Sequence, residues 1–242
     1  MEEQAPRTKA YLVKAINGLF EPAKPTIISI LCKKDLFIIL VRHNCNIIQT
    51  VIETFKTYLQ GKGNCTAEQL EMVADAAVLK RVRKRQYLTQ EGDVAKNHAF
   101  VTKGCLRTYS VDEKGVEHIL NFAIENYWIG DRESILTGQP SIYNIDAIED
   151  SEVALISREK FDHLCSEVPA FNNMINSILQ KSFLLAQDRI HTFISLSAED
   201  KYLRFLEKFP HLNMRVPQSM IASYLGITAE TLSRVRKQIV RR

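Results

Sequence analysis

The sequence predicts an α+β chain: a roll of short strands, then one long helix, then two short helices joined by a tight turn. Three observations lead there. Residues 218–239, QSMIASYLGITAETLSRVRKQI, set Ile221, Ala222, Leu225, Gly226, Ile227, Leu232 and Val235 at the spacing of a helix-turn-helix. From Pro169 to about Leu196, apolar residues recur at alternating steps of four and three, as on one helix face. Between Ala99 and Ser157, short runs of branched and aromatic residues alternate with turn signals, the texture of a β-sandwich or roll.

At 242 residues the chain has room for two domains or one large one. With 45% hydrophobic and 25% charged residues it reads as an ordinary soluble globular protein. The net charge of +4 excludes a polycation, but charge position is informative. From Arg215 onward, Arg215, Arg234, Arg236, Lys237, Arg241 and Arg242 are opposed by Glu230 alone. One basic end on a near-balanced body suits docking on phosphates. Five scattered cysteines without a CxxC pair argue against a disulfide framework or a zinc site, and predict reduced thiols. The apolar run Leu36–Val41 falls far short of the ~20 residues that span a bilayer. Glu2 and Glu3 stand where a signal peptide is basic, so a cytoplasmic, non-membrane protein is expected.

Residues 1–47 form an extension broken by Pro6, Pro22 and Pro25, with no function assigned. A roll is expected over 48–165, a long helix over 166–196 and the paired helices over 197–242. Ile48, Val51, Ile52, Phe55 and Leu59 predict a first helix, and Thr66 opens a second. Lys80–Arg85, KRVRKR, reads as a solvated strand in preference to a nucleic-acid patch, because Val82, Tyr87 and Leu88 lie beside it. Gly92 in QEGD marks a turn. Strands follow around Phe100–Val101, Leu106–Ser110 and Val116–Phe122, the last two joined by the Asp112–Gly115 turn. Further strands are expected at Tyr127–Ile129, Tyr143–Ile148 and Val153–Ile156, with a polar loop through Gly138 and Pro140 between the first two.

Arg158–Cys165 begins the helical half. On the long helix, Phe171, Ile175, Ile178, Ser182 and Leu185 form one seam. Leu179, Phe183, Ala186, Ile190 and Phe193 form a second, shifted by one position. One seam suffices for the chain's own core, and the other suits a coiled-coil partner. Ser197 in SAED predicts a capping box ahead of a helix that carries Tyr202, Leu203, Leu206 and Phe209 and stops at Pro210.

In the final pair, Pro217 suits the first helical position and Ala222 a close helix crossing. Gly226 supplies the left-handed residue of the turn, and Thr228 caps the second helix. With Leu232 and Val235 inward, Glu230, Thr231, Ser233, Arg234 and Lys237 face out. Arg234 suits guanine O6 and N7, and Glu230 suits cytosine N4. Gln218, Thr228, Arg236 and Arg241 complete the candidate DNA-binding set, Arg236 and Arg241 as phosphate contacts.

Roll, long helix and helix-turn-helix, in this order, resemble the Crp/Fnr family of bacterial transcription regulators. The resemblance covers about residues 48–242. It lies in QEGD at 90–93, FVTKGCLRTYSVDEKGVEHIL at 100–120, YWIGDRESILTG at 127–138 and RVPQSMIASYLGITAETLSRVRK at the end. DRESILTGQPS and VPQ…IASYLGIT are most similar to the Bacteroidetes-type branch. The resemblance implies a cyclic-nucleotide-binding-like jelly roll with a sensory role and a homodimer paired through the long helix. It also implies an inverted-repeat DNA site, with RNA polymerase as a further partner to test. The candidate effector pocket is Gly130, Asp131, Arg132, Glu133, Ser141 and Tyr143. In nucleotide-binding members a Gly-Glu and an Arg-Ser hold ribose and phosphate. Here Asp131 stands for the Glu, and Ser141 and Ile142 stand for Arg-Ser, so the phosphate lacks its cation and cyclic AMP is not expected. Cys32 and Cys45 are too far apart for the iron–sulfur branch, and no residue matches the haem branch, so no cofactor is expected. The chain stops soon after the reading helix, so the family's β-hairpin wing is expected to be absent. Ala229 replaces an Arg that the family uses beside the Glu and Arg that read bases.

Two rival classes stay in view. An enzyme would need a phosphate loop, a nucleophile motif or paired ligands, and the six scattered histidines supply none. A ligand-sensing or interaction roll without DNA binding would have a degraded turn glycine and an uncharged outer helix face. Salt-dependent retention on heparin or DNA separates both from a regulator.

Overall fold

In the computed structural model the structure describes residues 51–240, which lie in one compact unit spanning 45–242. The expectations for residues 1–50, and for Arg241 and Arg242, lie outside the described residues.

Residues 51–62 are helical (α1) and α2 is Ala67–Ala76. Thr66 caps α2 reciprocally: its hydroxyl accepts from the Gln69 N–H, and the Gln69 side chain accepts from the Thr66 N–H. Eight strands follow: β1 Val78–Val82, β2 Tyr87–Thr89, β3 Asn97–Lys103, β4 Leu106–Val111, β5 Glu117–Ala123, β6 Trp128–Ile129, β7 Asn144–Ala147 and β8 Ser151–Ser157. They pair antiparallel in two four-stranded sheets, β1-β8-β3-β6 and β2-β7-β4-β5, the jelly-roll arrangement. Strand alternation sets what each face meets. Ala99, Val101, Leu106, Ile145 and Val153 fill the space between the sheets. Phe100, Ala154 and Ile156 point the other way, onto Phe55 and Leu59 of α1 and Phe161 and Phe171 of the later helices. Gly104 turns β3 into β4 at φ +97°, and a Cβ there would lie 2.2 Å from Ser151 Oγ, so only glycine fits.

The loop expected after Gly130 holds a short helix, α3 Arg132–Thr137. Asp131 caps it by accepting the Ser134 N–H at 3.2 Å, and Gly138 ends it at φ +73°. The charge run is also corrected: β1 ends at Val82, and Arg83–Arg85 form the turn to β2, not strand.

The helical half runs α4 Arg158–Glu167, α5 Pro169–Ser195, α6 Ala198–Lys208, α7 Leu212–Arg215, α8 Gln218–Leu225 and α9 Ala229–Val240. The capping box of α6 is half formed. Ser197 Oγ accepts from the Asp200 N–H, but the Asp200 carboxylate takes the Ser197 hydroxyl and not its backbone N–H. Pro217 precedes α8 as its cap and is not its first residue. On α5 the two seams are not shared between core and partner. Phe171, Met174 and Ile175 are buried, but beyond Leu179 both seams lie open, with Phe183 63% and Ile190 60% exposed. The helix outruns the roll that covers its first turns. No helix among the described residues is long and apolar enough to cross a membrane.

Candidate nucleic-acid interface

Helices α8 and α9 are fixed from below. Ile221, Ala222, Leu225, Leu232 and Val235 are buried in a cluster with Tyr202, Phe205, Phe209 and Leu212 of the preceding helices. Gly226 holds φ +64°, and a Cβ there would meet the Phe193 ring of α5 at 2.1 Å, so the turn residue also seats the pair against the long helix. Thr228 opens α9 by accepting the Thr231 N–H at 3.1 Å.

With Leu232 and Val235 anchored, Glu230, Ser233, Arg234 and Lys237 share the exposed face of α9, with Ala229 and Gln238 beside them. The Glu230 carboxyl is held below its usual value by its own backbone N–H at the helix start and by the Thr228 hydroxyl. It is therefore ionised, an acceptor and never a donor, at neutral pH. Arg236 is half-buried on the flank, and Thr231 is half-buried and paired with Thr228. Gln218 is not brought into this group. Its amide donates to Asn213 Oδ1, and its carbonyl oxygen is buried without a partner among the described residues. Arg241 lies outside the described residues.

The pair is tied to the roll by groups that sequence reasoning missed or misplaced. Arg215, counted with the basic end, is not free for phosphates. Its guanidinium bonds Glu125 at 2.8 and 2.9 Å and Glu149 at 2.5 Å. Those bonds push the Arg215 pKa up. Burial alone would raise the Glu125 carboxyl, but Arg215 brings it below its usual value. Ser223 of α8 donates to the Glu117 carbonyl and accepts from the Ile119 N–H of β5. Arg189 of α5 reaches the Leu120, Ile119 and Tyr224 carbonyls and lies over the Tyr224 ring at 4.4 Å. An arginine four residues after Leu185, where the first seam would continue with an apolar residue, was the available signal for it.

Of the candidate effector pocket, Ser141 and the half-buried Tyr143 are joined directly, Gly130 and Asp131 lie against Asn97 and Ser134, and the cassette closes on itself. Ser141 Oγ donates to the Tyr143 carbonyl and accepts its N–H. The Ser141 backbone pairs with Gly92 and Asp93 of the QEGD turn. Ile142 is 61% exposed. Arg132 and Glu133 are exposed on α3. The charge of Arg132 acts at His98, which burial first and then Arg132 push down to about 4. Among the described residues no three His, Cys, Asp or Glu are grouped to hold a metal ion.

The family model for the cyclic nucleotide-binding domain matches residues 79–168, the roll and α4. The chain is 26% identical over 167 residues to the regulatory protein HlyX of Actinobacillus pleuropneumoniae, a stretch covering 64% of this chain and 69% of that one. It is 28% identical to the transcriptional activator protein Anr of Pseudomonas protegens, over 64% of this chain and 67% of the relative. Among solved structures, FixK2 of Bradyrhizobium japonicum superposes with a TM-score of 0.61 at 20% identity, covering 68% of this chain and 85% of that one, and so shows the shared fold. Roll, long helix and helix-turn-helix in one order, with relatives that are regulators, make this chain a DNA-binding transcriptional regulator similar to those of the Crp/Fnr type.

Proposed function

We propose that the chain is a homodimer that reads an inverted-repeat DNA site through α9. The observation that carries this is the outer face of α9: Glu230, Ser233, Arg234 and Lys237 stand exposed and free of the roll, while the opposite face is locked into the core. Arg234 and Glu230, four residues apart, supply the donor and acceptor for a G·C pair. Thr231 and Ser233 add hydroxyls, and Arg236, Lys237 and Arg241 hold phosphates. Gln218 is better read as bracing α8 than as a DNA contact. The bare seams of α5 support pairing through residues 166–196, with 48–165 as the sensory roll and 197–242 as the DNA-binding domain. The loop DRESILTGQPS and the VPQ…IASYLGIT ending support the Bacteroidetes-type branch. Action on DNA implies a cytoplasmic protein that helps or blocks RNA polymerase, with no catalytic role. Selection of duplexes from a random pool by the purified protein tests this. An inverted repeat with half-sites about 10 base pairs apart is expected; enrichment of no sequence contradicts it.

The roll, in this reading, does not answer to cyclic AMP. Ser141 spends its hydroxyl on Tyr143, and with Ser141 and Ile142 in place of the Arg-Ser pair a buried phosphate would lack that cation. Calorimetry with cyclic AMP is expected to give no binding heat, and duplex binding should not need the nucleotide. Micromolar binding would show that another cation serves the cassette.

A further inference from the structure

The second apolar seam of α5 ends on Phe193, close to the point where the helix stops at Ser195. Its ring meets the reading unit on one side. It covers Gly226, with ring atoms Cδ2 and Cζ lying 2.9 and 3.1 Å from the place a Cβ would take. The ring thus fills the space that a side chain on the turn would need. Lys201 of α6 sets its ammonium over the same ring, 4.8 Å from the centroid. Phe193 is otherwise open. It is 57% exposed and shares the wall of one large groove with Ile190 and Ile194, themselves 60% and 76% exposed.

Other ties hold the reading unit to its own chain. Arg215 bonds Glu125 and Glu149, Ser223 bonds β5, and Arg204 of α6 bonds Asp188 of α5 at 2.7 Å. Phe193 differs from these, because it also belongs to the seam that a second copy would cover. The turn it seats is stiff and close to the bases. The Ile227 N–H bonds the Ala222 carbonyl at 3.0 Å, and Thr228 caps α9, which begins at Ala229. A shift of Gly226 therefore reaches Glu230 with little slack. Two α9 helices must enter successive major grooves about 34–36 Å apart. One added base pair moves the second half-site by about 3.4 Å and turns it by roughly 35°.

We propose that Phe193 is a positioning residue that sets which half-site spacing the dimer accepts. The proposal rests on the inverted-repeat reading above. One side of the ring is gripped by Gly226 and Lys201, and the second copy of α5 closes on its open side. The seam and the two reading turns then form one packed unit, and close-packed side chains transmit displacement instead of absorbing it. Glycine at 226 serves twice, through its left-handed φ of +64° and through the room it leaves for the ring. Phe193 belongs to α5 and not to the outer face of α9, so it governs spacing and leaves base preference alone.

The test measures binding of the full chain to duplexes that carry the selected half-sites at the selected spacing, or with base pairs added or removed between them. Wild type is expected to lose ~10²-fold for a single base pair, because the two helices then cannot engage together. Phe193→Ala should still sediment as a dimer and should lose about ten-fold or less for the same change, with the base preference inside each half-site intact. Gly226→Asn reaches the contact from the reading side and leaves the seam alone. Asparagine tolerates the left-handed turn, but its Cβ displaces the ring, so this spacing profile should broaden or shift as well. A Phe193→Ala dimer with the wild-type profile overturns the proposal and leaves α9 placed by the roll joint. If Phe193→Ala is monomeric, Gly226→Asn decides. A wild-type profile in that variant makes Phe193 a dimerisation residue only, and a broadened or shifted one upholds the proposal. A wild-type chain indifferent to spacing removes the inverted-repeat reading and this proposal together, whereas a sharp profile unchanged in both variants removes this proposal alone.

Discussion

Arg107→Leu is expected to destabilise the roll by ~3–5 kcal/mol, the cost of leaving a buried charge without its partner. Arg107 lies on β4 with its side chain only 8% exposed. It bonds Asp146 of β7 through two nitrogens, at 2.7 and 3.0 Å, and reaches Glu117 of β5. Its ring neighbour is Tyr109, 4.0 Å away. Burial alone would lower the guanidinium pKa, but Asp146 and Glu117 reverse that and push it well up, so the group stays charged. Removing it strands Asp146, whose side chain is as buried as its own. Urea unfolding of the variant checks the value. Arg107→Leu/Asp146→Leu should recover most of the loss, because no buried charge is then left unpaired and the Glu117 carboxylate, 44% exposed, can be solvated. A single variant as stable as wild type, or a double variant no better than the single, contradicts this.

Ile190→Glu is expected to turn the dimer into monomers and to lower operator affinity by ~10²–10⁴-fold. The loss follows because one recognition helix binding alone forgoes the gain from linked sites. Ile190 stands in the open seam with Phe183, Phe193 and Ile194, on the wall of a groove of about 2040 Å³ that α1, α5, Phe209 and Tyr224 enclose. A second copy of α5 would cover these side chains, each worth ~1.5–3 kcal/mol on full burial. A carboxylate there must be buried against an apolar partner. Sedimentation at micromolar concentration, with the helical signal unchanged, reads the effect. A variant that stays dimeric would place the interface elsewhere.

What was legible in the sequence was local. Ala222, Gly226 and Thr228 announce a helix-turn-helix because each acts within a few residues of itself, through a close crossing, a left-handed turn and a cap. Gly104 and the Asp112–Gly115 turn mark the strand ends in the same way. Even α3 was readable, since Asp131 and Gly138 are a cap and a stop at the right separation, though the polar composition hid it. The polar clamps were not legible. Arg107 meets Asp146, Arg189 meets Leu120 and Arg215 meets Glu125 across long stretches of chain, and only the folded roll brings them together. For that reason Arg215 looked like part of a phosphate-binding end when its charge serves the joint between roll and reading helices. The open half of α5 was misjudged for a related reason: periodicity shows that a face is apolar, not how far the roll extends to cover it.

The most direct measurement is the base preference of Arg234→Ala compared with wild type, by sequencing duplexes that each protein selects from one random pool. Arg234 is exposed on α9, one turn beyond Glu230, and is expected to donate two bonds to a guanine. The variant should bind the wild-type site ~1–3 kcal/mol more weakly and should accept any base at one position in each half-site, with the rest of the inverted repeat preserved. A variant that binds more weakly at every sequence alike, with the preference at all positions intact, would make Arg234 a phosphate anchor and contradict base reading by this face of α9.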